Sequence, residues 1–154
     1  MTVASSSVSQ VAPHRFGLWI ILAAQLMLQM DFLIVLVALP QIQADLGFSA
    51  AGLSWVPNAF ALAFGGLLLF GGRIADLWGR KRTFVLGLTG FAVASALGGA
   101  ATNEAMMFGS RALQGVFGAL LAPAALSLLA VTFTDVRERA KAFGVYGAIA
   151  GAGG

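Results

Sequence analysis

The chain alternates between long runs of apolar residues and short segments that hold most of its charges. Residues 53–70 and 83–101 contain no charged side chain, and they are separated by residues 71–82, GGRIADLWGRKR. An apolar segment of about 17 to 25 residues is long enough to cross the hydrocarbon core of a bilayer as a helix. The pattern therefore predicts membrane-spanning helices, with a short basic loop between the second and the third.

The same pattern predicts four complete spans and the beginning of a fifth, over about residues 16–39, 53–70, 83–101, 106–133 and 142–154. The predicted fold class is all-α, a polytopic helical membrane protein. The last span has 13 residues, which at 1.5 Å per residue give about 20 Å against a hydrocarbon core of about 30 Å. We therefore expect the chain to be the N-terminal part of a longer protein.

The segment before the first span, residues 1–14, is mostly small and polar. Such a composition is typical of a disordered tail. A cleavable signal peptide is the competing interpretation. The apolar run at 16–39 is longer than the apolar region of a signal peptide and contains Asp31, which favours a first spanning helix preceded by a disordered tail.

Composition supports a membrane protein. Hydrophobic residues make up 59% of the chain and charged residues 10%, which leaves too few polar groups to cover a water-soluble domain. A net charge of +3 would favour nucleic acid as the partner of a soluble domain. Here the basic residues lie between spans, so the expected partner is the lipid bilayer and not nucleic acid. With no cysteine and one histidine, His14, disulfides and a His/Cys metal site are excluded.

Basic residues are distributed unequally between the predicted loops. One lies in or next to the tail, four in the second loop, three in the fourth, and none in the first or third. Since cytoplasmic loops accumulate Lys and Arg, the N-terminus and the even-numbered loops are predicted to face the cytoplasm, in a multi-pass protein of the plasma membrane. The residues concerned are Arg15, Arg73, Arg80, Lys81, Arg82, Arg137, Arg139 and Lys141.

Two charged residues lie inside predicted spans. Asp31 is about 12 Å from the outer end of the first span and Arg111 about 8 Å from the outer end of the fourth, at 1.5 Å per residue. A charge at the centre of a spanning helix costs about 2.5 to 3.5 kcal/mol on insertion scales, so such residues usually pair or line a watery cavity. Arg111 could instead extend to the outer interface. Against this, Arg111 shares a helical face with Gln114 and Gly115.

Gln25 and Gln29 lie one turn apart on the first span, and Asp31 is about 200° round the helix from Gln29. These two polar faces cannot both line one cavity. We favour Asp31 as the residue that faces a cavity and the two glutamines as residues of helix packing.

Small residues and one proline indicate how the spans pack. Gly115 and Gly118 are three residues apart, and Gly147 and Gly151 are four apart. Small residues at such spacings let two helix backbones approach closely. Pro123 lies inside the fourth span and is predicted to bend it, because proline removes a backbone hydrogen bond.

Several of these residues resemble motifs of the major facilitator superfamily. Residues 72–81, GRIADLWGRK, are similar to that family's signature G-x-L-a-D-r-x-G-r-k between its second and third helices, with Leu77 where a basic residue is usual. Arg111, Gln114 and Gly115 match its fourth-helix signature R-x-x-Q-G. Residues 30–40, MDFLIVLVALP, resemble the D-x-T-I-V-N-V-A-L-P of the fourteen-helix drug/proton antiporters. The resemblance covers nearly all of residues 16–154.

The resemblance implies a secondary transporter in which two helical bundles rock about a central site. This chain would belong to the N-terminal half of a proton-coupled exporter of drugs or other lipophilic, often cationic small molecules. The missing C-terminal half would supply the other wall of the cavity. A proton gradient would drive transport, with no cofactor. Two alternatives stay open: an uptake facilitator for a metabolite, and a short membrane scaffold or regulatory protein that does not transport.

The resemblance also implies roles for individual residues. It assigns Asp31, Arg111 and Gln114 to the coupling of protons and substrate, with Asp31 as the proton-responsive group. A cytoplasmic gate loop would be formed by Gly72, Asp76, Gly79, Arg80 and Lys81. An enzyme is not expected, because the chain contains no metalloprotease, nucleophile-elbow or phosphate-loop motif.

Overall fold

The computed structural model describes the backbone of residues 11–152 and the side chains of residues 16–152. In this part of the chain five α-helices follow one another, with no strand. Of the predicted tail, residues 1–10 lie outside the described range, and residues 11–14 belong to the first helix. The helices are α1 (Val11–Leu46), α2 (Ala50–Trp78), α3 (Arg80–Gly99), α4 (Glu104–Thr132) and α5 (Val136–Gly151).

Helices α1 to α4 are long and apolar enough to cross a membrane. α2 and α4 have 29 residues each, about 44 Å at 1.5 Å per residue, which exceeds a hydrocarbon core of about 30 Å. They therefore extend beyond the predicted spans, as α1 also does. The apolar pattern locates the edges of the membrane, whereas a helix ends only where a residue interrupts its backbone hydrogen bonds.

The loop predicted at residues 71–82 is mostly helical. α2 continues to Trp78 and α3 begins at Arg80, so that Gly79 alone separates them. Gly79 has a φ of 103°, a conformation that glycine adopts without steric cost. The predicted loop is therefore a sharp turn between two helix ends, and its charged residues lie on helices.

Short polar side chains begin three of the helices. Ser49 Oγ accepts a hydrogen bond from the backbone N of Gly52 at the start of α2, and Asn103 Oδ1 accepts from Met106 at the start of α4. Asp135 caps α5 in the same way. Each cap satisfies backbone donors that have no partner within the helix.

α4 is the central helix of the bundle and packs mainly against α2 and α3. Its side chains Leu121 and Leu129 are fully buried. Gly71 of α2 lies against the carbonyl of Ala119, and Gly87 of α3 lies against the backbone of Leu121. A Cβ atom at either glycine would overlap this backbone, so the two contacts depend on the absence of a side chain.

The glycines singled out in the sequence differ in their surroundings. Gly115 is buried against the carbonyl oxygen of Phe60 and the Cβ of Ala63, and Gly118 is buried against the ring of Phe64. Gly147 and Gly151 of α5 are exposed, with no neighbouring atom where a Cβ would lie. Within the described residues, the expected close packing is present at the α4 glycines and absent at these two.

Candidate functional site

An ion pair joins α1 and α4 in the interior of the bundle. Arg111 Nη1 lies 2.7 Å from Oδ2 of Asp31, and the two side chains are 2% and 17% exposed. Arg111 is therefore buried and paired, and it does not extend to an exposed interface. The two charges that the sequence placed at similar depths are in direct contact.

Two uncharged side chains complete this arrangement. Gln114 Oε1 accepts a hydrogen bond of 2.6 Å from Arg111 Nη1, and Gln114 Nε2 donates to Oδ1 of Asp31 over 2.6 Å. Ser95 Oγ of α3 donates to the same Asp31 oxygen over 3.0 Å and accepts from Gln114 Nε2 over 2.6 Å. Asp31, Ser95, Arg111 and Gln114 are called the polar cluster below. It connects α1, α3 and α4.

Ser95 was not among the residues predicted from the sequence. Serine carries no charge and is common in spanning helices, so its presence in the third span gave no signal by itself. The depth of Ser95 within the span, however, was informative. Ser95 is six residues from the predicted outer end of that span, about 9 Å, which is close to the depths of Asp31 and Arg111.

The polar cluster provides hydrogen-bond acceptors for only part of the Arg111 guanidinium. Its Nε and Nη2 atoms are buried and have no hydrogen-bond partner among the described residues. The guanidinium carbon lies 4.8 Å from the centre of the Phe60 ring. A cation over an aromatic face in a desolvated position gains about 2 kcal/mol, so Phe60 compensates for part of the missing hydrogen bonding.

A cavity of about 350 Å³ opens beside the polar cluster, between α1, α3 and α4. Asp31, Ser95, Arg111 and Gln114 all line it, together with apolar side chains and Asp45. Asp45 is exposed and accepts a hydrogen bond from Gln41 Nε2. Asp31 and Asp45 are 14 residues apart on α1, about 21 Å along the helix. This cavity, called the acidic cavity below, thus has one partly buried and one exposed carboxylate.

The two glutamines of α1 lie outside this cavity, as their helical positions predicted. Gln29 Nε2 donates to the carbonyl oxygens of Ile149 and Ala150. It therefore holds α1 against α5. Gln25, one turn before Gln29 on the same helix, is buried.

The predicted gate residues surround the turn at Gly79. Asp76 is exposed near the end of α2, and Arg80 and Lys81 begin α3. Asp76 has no ion-pair partner within 4.0 Å in the described part of the chain. Gly72 lies one turn before Asp76, close to the Cβ of Pro123. The structure thus brings these residues to one end of the bundle without pairing their charges.

The charges at this turn oppose the helix dipoles. A helix favours anions at its N-terminus and cations at its C-terminus, by about 0.3 to 1 kcal/mol each. Here Asp76 is at a C-terminus, while Arg80 and Lys81 are at an N-terminus. The helix dipoles therefore do not favour the charges at this turn.

No group of three or more potential metal ligands occurs among the described residues. The chemistry that this part of the structure offers is that of one partly buried carboxylate, one buried guanidinium and the hydrogen-bonding groups around them. Protonation of the carboxylate and rearrangement of the ion pair are the changes that such a cluster can undergo.

Comparison with known proteins adds independent evidence. Residues 21–154 match the family model described as Major Facilitator Superfamily. The chain is 56% identical over 142 residues to the puromycin resistance protein pur8 of Streptomyces alboniger, covering 92% of this chain and 28% of that protein.

Two further relatives have similar coverage. The cephamycin export protein CmcT of Amycolatopsis lactamdurans is 44% identical over 131 residues, 85% of this chain and 27% of that protein. The multidrug efflux pump LfrA of Mycolicibacterium smegmatis is 37% identical over 132 residues, 83% of this chain and 26% of that protein. The chain thus spans about a quarter of the length of these relatives.

Proposed function

Because the chain belongs to the Major Facilitator Superfamily, a family of transporters, we propose that it forms the N-terminal part of a proton-coupled exporter of drugs or other lipophilic small molecules. The buried Asp31–Arg111 ion pair is the observation that carries this proposal. Its relatives include a resistance protein and an export protein, which supports export as the direction of transport.

The polar cluster supplies a physical route for proton coupling. Arginine keeps its charge at all relevant pH values, so Asp31 is the member of the pair that can change its charge. A proton on Asp31 removes the Coulomb attraction to Arg111, which is strong in a low-dielectric interior. The ion pair that joins α1 to α4 is then weakened, and Arg111 becomes free to bind another acceptor.

The same carboxylate accounts for exchange between a proton and a cation. A cationic substrate near Asp31 is stabilised by the ionised carboxylate and loses that stabilisation when Asp31 is protonated. Proton and substrate therefore compete for one group. Such competition makes their movement in opposite directions obligatory when the site faces one side of the membrane at a time.

A cytoplasmic gate at the Gly79 turn completes the proposal. Asp76, Arg80 and Lys81 carry charges that the helix dipoles disfavour, and within the described residues they form no ion pair. Their partner would be the other half of the transporter. We propose that the Gly79 turn and the N-terminus face the cytoplasm, as the positive-inside rule favours, and that the chain lies in the plasma membrane.

The test uses a chimera in which residues 16–152 replace the matching segment of the Streptomyces alboniger relative. We expect the chimera to confer puromycin resistance on sensitive cells and Asp31→Asn to abolish it at equal expression. Asp45→Asn is the matched control, since it removes the other carboxylate of the acidic cavity. Asp45 is exposed and has no contact with Arg111, so the control should retain resistance. Full resistance of the Asp31→Asn chimera would reject the proposed role of this carboxylate.

A further inference from the structure

The acidic cavity extends from the polar cluster to one end of the bundle. On α1 its lining runs from Asp31 to Leu46, which are 15 residues apart, about 22 Å along the helix. On α3 the lining runs from Ser95 to the end of the helix, and on α4 it runs from Gln114 back to Met107 near the start. All three helices therefore direct the cavity to the end of the bundle that holds the α1–α2 and α3–α4 connections.

The cavity is large enough for a continuous file of water. Small residues, among them Ala38 on α1 and Gly99 on α3, line it between its two ends. Its volume of about 350 Å³ holds about ten water molecules at roughly 30 Å³ each. A file of water molecules joined by hydrogen bonds of about 2.8 Å needs about eight of them to cover 22 Å. Water can therefore connect Asp31 with the surface.

The carboxylate of Asp31 has room for one of these water molecules. An ionised carboxylate offers about four acceptor positions. Asp31 Oδ1 accepts hydrogen bonds from Ser95 and Gln114, and Oδ2 accepts one from Arg111. One position on Oδ2 is left. The side chain of Asp31 is 17% exposed and lines the cavity, so a water molecule in the cavity fits this fourth position.

The charges around the cavity allow a positive charge to enter. Its charged lining residues are Asp31 and Asp45 of α1 and Arg111 of α4, and the described part of α3 contributes none. The charge of Arg111 is compensated by Asp31, so an entering proton meets no uncompensated cation. Asp45 is exposed and about 21 Å from Asp31 along the helix, more than two Debye lengths at physiological ionic strength. The carboxylate of Asp45 is therefore screened from Asp31, and the path does not depend on it.

We propose that the acidic cavity is a water-filled path by which protons from outside the cell reach Asp31, separate from the substrate route between the two halves of the transporter. The proposal deepens the proposed export function and rests on it and on its orientation. In this path a hydronium ion transfers its proton to the free position of Asp31 Oδ2, which leaves a water molecule and a neutral carboxyl group. Asp31 can then be protonated while the substrate route stays closed.

Thiol accessibility in the chimera tests the path. The cysteines of the host protein are first replaced by serine, and Ser95→Cys then places a thiol at the inner end of the cavity. The reagent is 2-aminoethyl methanethiosulfonate, a small cation, with a thiol scavenger on the opposite side of the membrane. We expect it to modify position 95 severalfold faster from outside intact cells than from the cytoplasmic side, in inside-out vesicles. Equal rates, or a faster reaction from the cytoplasmic side, would overturn the proposal.

Two substitutions on different helices should block the path. Ala38→Phe adds a ring to the lining of α1. Gly99→Leu adds a side chain to the lining of α3, where no atom lies within 4 Å of the added Cβ. Each should slow the modification of position 95 from outside severalfold. Val37→Phe is the matched control, because Val37 is 82% exposed and does not line the cavity. Unchanged rates in both blocking variants would overturn the proposal, since position 95 would then be reached by another route.

Transport kinetics distinguish a proton path from a substrate route. In the chimera with Ser95 intact, Ala38→Phe and Gly99→Leu should lower the maximal rate of ethidium efflux severalfold and leave the KM for ethidium unchanged. A lower pH outside should restore part of the rate, because delivery through a narrowed path increases with the proton concentration. A raised KM, an unchanged rate, or a loss that low pH does not relieve in either variant would overturn the proposal.

The path and the proposed function fail in distinguishable ways. Full resistance of Asp31→Asn rejects the role of this carboxylate in export, whereas the accessibility of position 95 is measured without transport. Loss of resistance in Asp31→Asn, together with unchanged modification rates in both blocking variants, rejects the path and retains the export function.

Discussion

Arg111 Nη1 and Asp31 Oδ2 are 2.7 Å apart although the residues are 80 positions apart in the chain. The contact requires α1 and α4 to be adjacent and to place these side chains at the same depth. Breaking a buried pair by removing one partner costs about 3 to 5 kcal/mol, because a buried charge is left uncompensated. The pair is therefore a strong constraint on the arrangement of the bundle as well as a candidate coupling device.

The first prediction concerns the energetic coupling of this pair. In the chimera, Asp31→Asn and Arg111→Ala should each reduce transport strongly. The double variant should lose less than the sum of the two single effects, since the second substitution removes the charge that the first left unpaired. Efflux rates of the four proteins, converted to free energies, give the interaction term. An interaction term of zero would show that the two residues act separately.

Ser95 is predicted to support the carboxylate of Asp31. Ser95→Ala removes a hydrogen bond to a charged group, worth about 1.5 to 3 kcal/mol, and should move the pH midpoint of efflux in the chimera. Ser95→Thr retains a hydroxyl at the same position and should restore the original midpoint. Measurement of efflux across a range of pH separates this role from general destabilisation, which would lower the rate at every pH. An unchanged pH midpoint of efflux in Ser95→Ala would contradict the prediction.

Much of the fold and part of the site could be predicted from the sequence. Uncharged runs located the spans, because burial in lipid requires them, and the isolated charges Asp31 and Arg111 were identified because each is costly without a partner. Gly71 and Gly87 were missed, since a glycine in a spanning helix gives no indication of the backbone opposite it.

Packing of α2 against α4 is predicted to depend on Gly71. Gly71→Ala places a Cβ against the carbonyl of Ala119, and such overpacking typically costs about 1 to 3 kcal/mol. Gly66→Ala on the same helix is the matched control, because nothing lies within 4 Å of the added Cβ and alanine favours a helix by about 1 kcal/mol. The apparent Tm of the chimera, fused to a fluorescent protein and followed by size exclusion, should fall for Gly71→Ala only. Equal Tm values for the two variants would show that α2 and α4 accommodate a Cβ atom at position 71 without loss of stability.

Orientation in the membrane is predicted from the distribution of basic residues. Single cysteines at Ser6, Ser49, Arg82 and Thr102 sample the tail, two connections and the first turn of α3. Arg82 is preferred to its neighbour Thr83, which is fully buried. An impermeant maleimide added to intact cells should label positions 49 and 102 only. Labelling at position 6 or 82 in intact cells would show that the topology is the reverse of the predicted one.

Residues 1–154 on their own are predicted not to transport. The chain spans about a quarter of the length of its relatives, and large side chains such as Leu69 and Val37 are exposed. Each helix satisfies its own backbone hydrogen bonds and can therefore insert. The exposed glycine face of α5 and the charges at the Gly79 turn have no partner within the described residues, so the chain should insert without forming a closed pathway.

Proteoliposomes containing the purified chain, an imposed pH gradient and ethidium provide the measurement. We expect dye movement no faster than in empty liposomes, and the chimera in matched liposomes serves as the positive control. Asp31→Asn distinguishes a leak from transport, because a leak through a disordered bilayer does not require the carboxylate. Gradient-dependent movement that disappears with Asp31→Asn would contradict the prediction, and it would mean that copies of this chain assemble around their buried ion pairs into a complete pathway.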